Sequence, residues 1–562
     1  MALHRLQPLL FLGVLSCSPV LALPLSAPME ESQPALGAAG INAYALQSAP
    51  YHLTGKKIAL GQVEMGRPPQ FGRDKLGLWP PLVVLAGVFF GEKSALENRN
   101  IEPHALQVAS VLAGFSKTFR GTAPGARLYS AAFGRLKEHF QENQCLALQQ
   151  IAGQNGGDVR AINLSFGEPL GRDRRRVPRL DGEGLLSQCL DWLSGTEQTL
   201  MVVAGNQGKG GIPLPGDHYN GLAVAFTRPY QGEYSRLDFA NLARLPQGPG
   251  RRLVRREINS GGRQSVSLVA PGFQIRVPDL KGQIKRVTGS SFAAPQVTGV
   301  VGLLQEWGDR QDWGRDYRRP EVMKAILLNS ADKLKDPGDG RFLGMTRTIY
   351  TPPLQTWLQS AALLNPYLPL DPEIGAGQLN APRALQQLQA GQQPPGTGIR
   401  PLGWDYGEIA PQSERIYVLE QPLPARRWAV ATLTFPRRVD LKDLNRNRRY
   451  DLGESFRSRP LPALQLILES QTSPAVVVCH SRSSVDSVQH VFCPLPQTGR
   501  YQIRVQSPPG DFPNQAYGLA WWTAPLGRRG SQAPAPRATP PPGPESAGDK
   551  NAGIGAGDEA ND

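Results

Sequence analysis

A serine at the entrance of an apolar helix is the first place in this chain where chemistry could happen. Val287-Thr288-Gly289-Ser290-Ser291-Phe292-Ala293-Ala294-Pro295 precedes the apolar run Val297 to Leu304. That pattern predicts a buried helix whose first-turn proline forfeits no helical hydrogen bond. The positive end of such a helix favours negative charge beside Ser291. A serine hydroxyl is a weak nucleophile at neutral pH and needs a base within hydrogen-bond reach. It also needs a carboxylate to fix the tautomer of that base and donors for the developing oxyanion. Residues of each type stand at element ends: Glu64 closes the apolar run Ile58 to Val63, His104 opens an amphipathic helix at Pro103-His104-Ala105-Leu106-Gln107-Val108, and Asn206 follows the apolar strand Leu200 to Ala204. Each has a plainer reading as well: a solvated strand-end glutamate, a helix-capping histidine, a turn asparagine tolerant of left-handed backbone, and a Gly-Ser-Ser helix cap.

In this chain order the segments resemble the subtilisin-like serine peptidases. Gly289-Ser290-Ser291-Phe292-Ala293-Ala294-Pro295 is similar to their G-[ST]-S-x-[AS]-x-P signature. Thr54 to Gly66 resembles their first core strand, with Glu64-Met65-Gly66 where the family has D-x-G. Pro103 to Gly114 resembles H-G-T-H-V-A-G, with Ala105, Leu106 and Gln107 replacing Gly, Thr and the second His. Ala204-Gly205-Asn206-Gln207-Gly208 resembles the oxyanion-hole motif. The resemblance implies Ser291 as nucleophile, His104 as base, Glu64 as orienting acid and Asn206 as oxyanion donor. Val159 to Gly167 is similar to the strand whose Ser-x-Gly edge pairs with extended substrate, which implies substrate contacts from Ser165, Phe166 and Gly167, with Ala204 and Gly205 beside them. Pro215-Gly216 stands where the family builds the floor of its specificity pocket. Gly121 to Ala126, Val269 to Gly272, Pro320 to Ala331 and Gly375 to Ala381 extend the likeness over roughly residues 50–390, the size of one large domain.

The implied fold is α/β, a parallel sheet flanked by helices, followed by an all-β sandwich. The implied function is that of a secreted serine endopeptidase working through an acyl-enzyme on a polypeptide substrate, with no cofactor required for catalysis. A subtilisin-fold binding or scaffold protein of the cell envelope, weakly active or inactive, is the competing expectation. It draws on the altered histidine motif, the acid substitution and the short stretch from Leu23 to Pro50.

Length and composition fit an exported multidomain chain: 562 residues suggest several domains, and 40% hydrophobic content suffices for a sizeable core. Residues 1–22 read as a signal peptide, with His4 and Arg5, an apolar run from Leu9 to Leu15 and cleavage near Ala22. Val14-Leu15-Ser16-Cys17 offers lipoprotein processing at Cys17 as an alternative. The expected destination is secreted, periplasmic or cell envelope, without a transmembrane span. Residues 23–50 form a short N-terminal segment, 51–390 the catalytic domain, 391–402 a Pro/Gly linker, 403–524 a β-sandwich and 525–562 a tail of disordered composition. Among three connectivities of the four remaining cysteines, the simplest is one bridge per domain, Cys145 with Cys189 and Cys479 with Cys493, the latter two bracketing a long hairpin.

One motif in the sandwich suggests a metal. Asp443, Asn445, Asn447, Asp451 and Glu454, with the backbone carbonyl of Arg449, match an EF-hand-type calcium loop, except that Arg448 stands where glycine makes the sharp turn. A polar turn between strands is the alternative. The net charge of +14 comes largely from arginine, in runs such as Arg172-Asp173-Arg174-Arg175-Arg176 and Arg251-Arg252 with Arg255-Arg256. In an exported protein these suit a solvated surface or an acidic envelope polymer. No nucleic-acid partner is expected, since neither an aromatic-interleaved basic motif nor a nucleic-acid fold signature appears.

Overall fold

The computed structural model describes residues 33–76, 82–116, 119–134, 140–205, 212–237, 259–311, 313–396 and 398–524. The signal peptide with Cys17, the C-terminal tail and the basic run at 251–256 lie outside them, as does Asn206.

Short apolar runs buried on both faces make the first architecture. β1 (Ala59–Glu64), β4 (Arg127–Ala132), β5 (Val159–Leu164) and β6 (Leu200–Ala204) are almost wholly buried, as parallel strands covered by helices must be. With β2 (Leu85–Phe90) and β7 (Leu222–Tyr230) they lie in the parallel order β7-β6-β5-β1-β4-β2, and β9 (Leu268–Pro271) joins β7 in parallel. β3 (Lys93–Ser94), β8 (Glu233–Arg236) and β12 (Ile349–Tyr350) complete a ten-stranded sheet, and β10 (Ile275–Pro278) pairs with β11 (Ile284–Val287) as a separate hairpin. Alternation along β6 sorts the two faces: Leu200 and Val202 enter one apolar cluster, Met201 and Val203 the other.

The first cluster gathers α1 (Pro103–Ala113), α4 (Ala294–Asp309), α5 (Pro320–Asn329) and α6 (Ala381–Gln389). The second gathers α2 (Phe140–Ala152) and α3 (Leu185–Thr196), which a Cys145–Cys189 disulfide joins. β1 sits between β5 and β4, so the order of strands reverses there. In open α/β sheets ligands bind beyond the C-terminal ends of strands at such a switch point. Glu64 is the last residue of β1 and Ala204 the last of β6, and Ser165 follows β5 directly.

The second architecture is antiparallel. β13 (Leu402–Ile409), β22 (Gln515–Thr523), β15 (Trp428–Thr434) and β20 (Val488–Pro494) form one sheet in that order. β14 (Glu414–Val418), β21 (Tyr501–Gln506), β18 (Gln465–Ser470) and β19 (Val477–Ser481) form the other, and β16 (Val439–Lys442) with β17 (Ser455–Ser458) is a separate hairpin. The α/β class and the sandwich thus follow the sequence expectation. The expected hairpin bracketed by Cys479 and Cys493 does not: β19 and β20 belong to different sheets, and the disulfide ties one sheet to the other. The turn between them is held by buried polar contacts, Ser483 Oγ to Asp486 and the Gln489 amide to the Ser483 carbonyl.

The first of these sheets packs on α5. Gly518 has no side chain because a Cβ there would meet the Glu321 carbonyl at 2.6 Å, and Trp404, Val488 and Ala520 belong to the same apolar cluster as α4. The Pro/Gly segment bridges β13 in parallel at Gln392 and Trp404, with the Gln393 N–H donating to the Trp404 carbonyl at 2.8 Å. Among the described residues, no helix is long and apolar enough to cross a membrane.

Candidate active site

Ser291 sits in a short 3-10 turn, Ser290–Phe292, that leads into the sixteen-residue, nearly fully buried α4. Its neighbours fix it tightly. The Ser290 hydroxyl donates to the Gly205 carbonyl at 2.7 Å, while the Gly205 N–H is held by Val224 at 2.8 Å. The Ser291 hydroxyl donates to the Ser165 carbonyl at 3.1 Å, and the Ser165 hydroxyl returns a bond to the Ser291 carbonyl at 2.8 Å. Asn163, two residues back on β5, supports Ser165 Oγ through its amide at 2.9 Å. The turn carrying Ser291 and the edge after β5 are therefore locked to each other.

His104 is carried on the first turn of α1, and Glu64 reaches it from β1. Glu64 Oε2 lies 3.1 Å from His104 Nδ1; the glutamate side chain is 3% exposed and the histidine 40%. Burial opposes protonation of the ring, but the charge and hydrogen bond of Glu64, with the charge of Glu102, outweigh it and hold the pKa of His104 above its ordinary 6.5. The His104 ring also packs on that of Phe292, with centroids 5.7 Å apart. The structure thus brings Glu64 and His104 into direct contact and sets them beside the Ser291 turn. The Ser291 hydrogen bond goes to Ser165 rather than to His104.

Sequence reasoning missed Gln62. Its buried amide donates to the Ala105 carbonyl at 2.9 Å, pinning the helix that carries His104 to the strand that carries Glu64. Residues two apart on a strand share a face, so a polar Gln62 on the same buried face as Glu64 was the available signal.

The expected substrate-binding residues line up beyond β5 and β6. Phe166 packs on Phe133 at 4.8 Å between centroids. Gly167 admits no side chain, since a Cβ would meet the Ile212 carbonyl at 2.6 Å. Glu168 then pairs with Leu214 through both backbone groups, which carries the edge across to Pro215 and Gly216. Gly216 closes a tight turn, donating to Pro213 at 2.8 Å, and the His218 N–H and ring both engage the Pro215 carbonyl.

The calcium-loop residues lie in the β16–β17 connection. Asp443 accepts the N–H groups of Asn447 and Arg448, Glu454 accepts those of Leu444 and Asp451, and the amides of Asn445 and Asn447 both donate to Asp451. Arg448 takes φ 62°, the left-handed conformation that glycine would adopt at least cost. The Arg449 side chain turns to Glu92 at 3.3 Å.

Residues 91–346 match the sequence model of the subtilase family. The M-protease of Shouchella clausii (strain KSM-K16) is 24% identical over 260 residues, 45% of this chain and 55% of that protein. Subtilisin Savinase of Lederbergia lenta is 24% identical over 260 residues, covering 45% of this chain and 78% of its own. The chain thus spans about half the length of the first of these relatives. The solved MycP3 protease from the type VII (ESX-3) secretion system aligns at a TM-score of 0.39 and 18% identity, over 62% of this chain and 88% of that one. Through residues 91–346, which hold His104, Ser165 and Ser291 but begin after Glu64, the chain is similar to the subtilases.

Proposed function

We infer that this chain is an exported serine endopeptidase with a Glu64–His104–Ser291 triad. The observation that carries the reading is the buried Glu64 carboxylate 3.1 Å from His104 Nδ1, at the sheet's switch point and beside the Ser291 turn. In the reaction His104 Nε2 takes the Ser291 proton as Oγ bonds to the substrate carbonyl carbon, and Glu64 stabilises the imidazolium. The Ser291 N–H and the Asn206 amide receive the oxyanion. The C–N bond breaks as His104 gives its proton to the leaving amine, and water then repeats the sequence to release the acyl group. Substrate pairs with Ser165-Phe166-Gly167, and Pro215-Gly216 floor the pocket. The competing scaffold reading draws on the Ser291–Ser165 hydrogen bond, which engages the hydroxyl proton that His104 would take. A fluorophosphonate probe separates the two: covalent labelling and peptide hydrolysis that both vanish in Ser291→Ala support the enzyme, and an unlabelled, inactive parent supports the scaffold.

The leader at 1–22 routes the chain out of the cytoplasm, where its surface arginines meet acidic envelope polymers. We propose structural calcium for the β16–β17 loop: Asp443, Asp451 and Glu454 would supply charge and Asn445, Asn447 and the Arg449 carbonyl neutral oxygens, although among the described residues no three carboxylates already stand as one metal cluster; the Arg449 guanidinium is engaged by Glu92. Calorimetric titration with calcium, against Asp443→Ala, tests this. Equal heats from the two proteins would remove the site.

A further inference from the structure

The specificity segment Pro215–Gly221 is gripped from outside the α/β domain. Tyr219 lies between two guanidinium groups, Arg263 at 4.1 Å and Arg437 at 4.0 Å from its ring centroid. Two like charges can approach one ring so closely only from opposite faces. Arg263 belongs to the α/β domain and donates to the carbonyls of Asp217 and His218. Arg437 comes from the sandwich, on the connection between β15 and β16. Its guanidinium bonds the fully buried Asp191 of α3 at 2.7 Å, Glu183 at 2.6 Å and the Gly182 carbonyl at 2.7 Å. Asp191 in turn accepts the backbone N–H groups of Tyr219 and Asn220, at 2.9 and 2.8 Å.

The backbone of Arg437 is engaged too. Its N–H donates to the Asn220 side-chain oxygen at 2.8 Å, and its carbonyl accepts from the Asn220 amide at 2.9 Å. The sandwich adds Ser487, whose hydroxyl donates to the Tyr219 carbonyl at 2.7 Å. From Tyr219 the segment runs back through His218, bonded to Pro215, to Leu214, which pairs with Glu168 next to the substrate edge. The contacts of Asp191, Arg263 and Ser487 fall on backbone groups of residues 217–220, so their joint effect is placement of the segment. No sandwich residue named here touches Glu64, His104 or Ser291.

We propose that Arg437 is a positioning residue for substrate selection: through Asp191, Tyr219 and Asn220 it holds the Pro215–Gly221 segment, making the sandwich part of the specificity pocket's frame. This rests on the peptidase reading, in which Pro215 and Gly216 floor that pocket. Lysine cannot replace the planar fork or its stacking on an aromatic ring, so Arg437→Lys loosens the grip while retaining a charge for Asp191. Ser487→Ala is the gentler companion.

The test uses the full chain and both variants. Active sites are counted with a fluorophosphonate, kinetics are measured on peptides differing only at the residue before the scissile bond, and amide exchange is followed through 212–221. Arg437→Lys should keep the titratable fraction, raise KM about tenfold, within the range such couplings span, and change kcat less than about threefold. The ratio of kcat/KM between large and small side chains should shift, and exchange should quicken at 215–221 more than in β1 or α4. Ser487→Ala should move each readout in the same direction by less. Parent-like selectivity and exchange in Arg437→Lys overturn the proposal even if Tm falls, because a merely stabilising contact would give that result. A parent that hydrolyses nothing refutes the peptidase reading instead, and exchange at 215–221 then decides the grip alone.

Discussion

Replacing Glu64 by glutamine removes one charge from a buried position while keeping the side chain's length. Glu64 Oε2 lies 3.1 Å from His104 Nδ1, and the imidazolium charge is spread over its ring, so the charge centres are about 4 Å apart. Two unit charges at that distance interact by about 4 kcal/mol at an effective dielectric of about 20. The His104 side chain is 40% exposed, so solvent screening lowers the useful part to about 2–4 kcal/mol. If the transition state carries the imidazolium, kcat should fall roughly 30- to 900-fold, with KM within about threefold of the parent. A second readout has a definite sign. The pKa of His104 is held above 6.5 chiefly by Glu64 against the opposing effect of burial, and the base works only when neutral. The parent's kcat/KM should therefore rise with pH through a value above 6.5, and in Glu64→Gln that limb should move to lower pH. Glu64→Asp withdraws the carboxylate by about 1.5 Å and should fall between the two. Steady-state kinetics on a fluorogenic peptide, normalised to titrated active sites, measures all of this. A Glu64→Gln enzyme with kcat within threefold of the parent and an unmoved acid limb would refute the assignment and leave at most a Ser291–His104 dyad.

Asn206→Leu should cost about 2.7–4 kcal/mol in kcat, the usual loss of one oxyanion donor; a change under tenfold would remove Asn206 from the site. Nonreducing peptide maps should recover Cys145 with Cys189 and Cys479 with Cys493, and any cross-link between the two pairs contradicts the fold. Lys333 is fully buried against Trp357 and Phe492, and burial lowers its pKa to about 7 from 10.5. Between those values the unfolded chain binds the extra proton, so stability should rise with pH across that window. Lys333→Met should raise Tm at pH 7 and flatten that dependence; a lowered Tm at pH 7 would refute the argument.

Much of the site was legible because chemistry and element ends coincide in the sequence. Glu64 closes an apolar run that became β1, and Ser291 precedes an apolar run that became α4. What escaped were residues whose role comes only from a distant partner. Gln62 shows in the sequence only as a polar residue on the face of Glu64, and Arg437 shows no pattern at all, until Ala105 and Asp191 are placed against them. β13 was hidden for a related reason: Gly403 and Gly407 interrupt its alternation, yet each makes room for an aromatic ring, of Trp521 and Tyr517 respectively. β20 was hidden by Gln489 and His490, polar but buried residues that bond Ser481 and Thr432 and so break the apolar alternation.

Trp404, Val488 and Ala520 share one apolar cluster with α4, which has a thermodynamic consequence. Apolar surface buried in common can be exposed only in common, so the α/β sheet and the sandwich should melt together. Calorimetry should record a single transition with equal calorimetric and van't Hoff enthalpies. Cutting the chain at Gly391 would strip three members, Trp404, Val488 and Ala520, from the cluster that α4 shares. Proteolytic nicking in the Pro/Gly segment should accordingly release no autonomous peptidase, and catalytic life should end at the temperature where the whole chain unfolds.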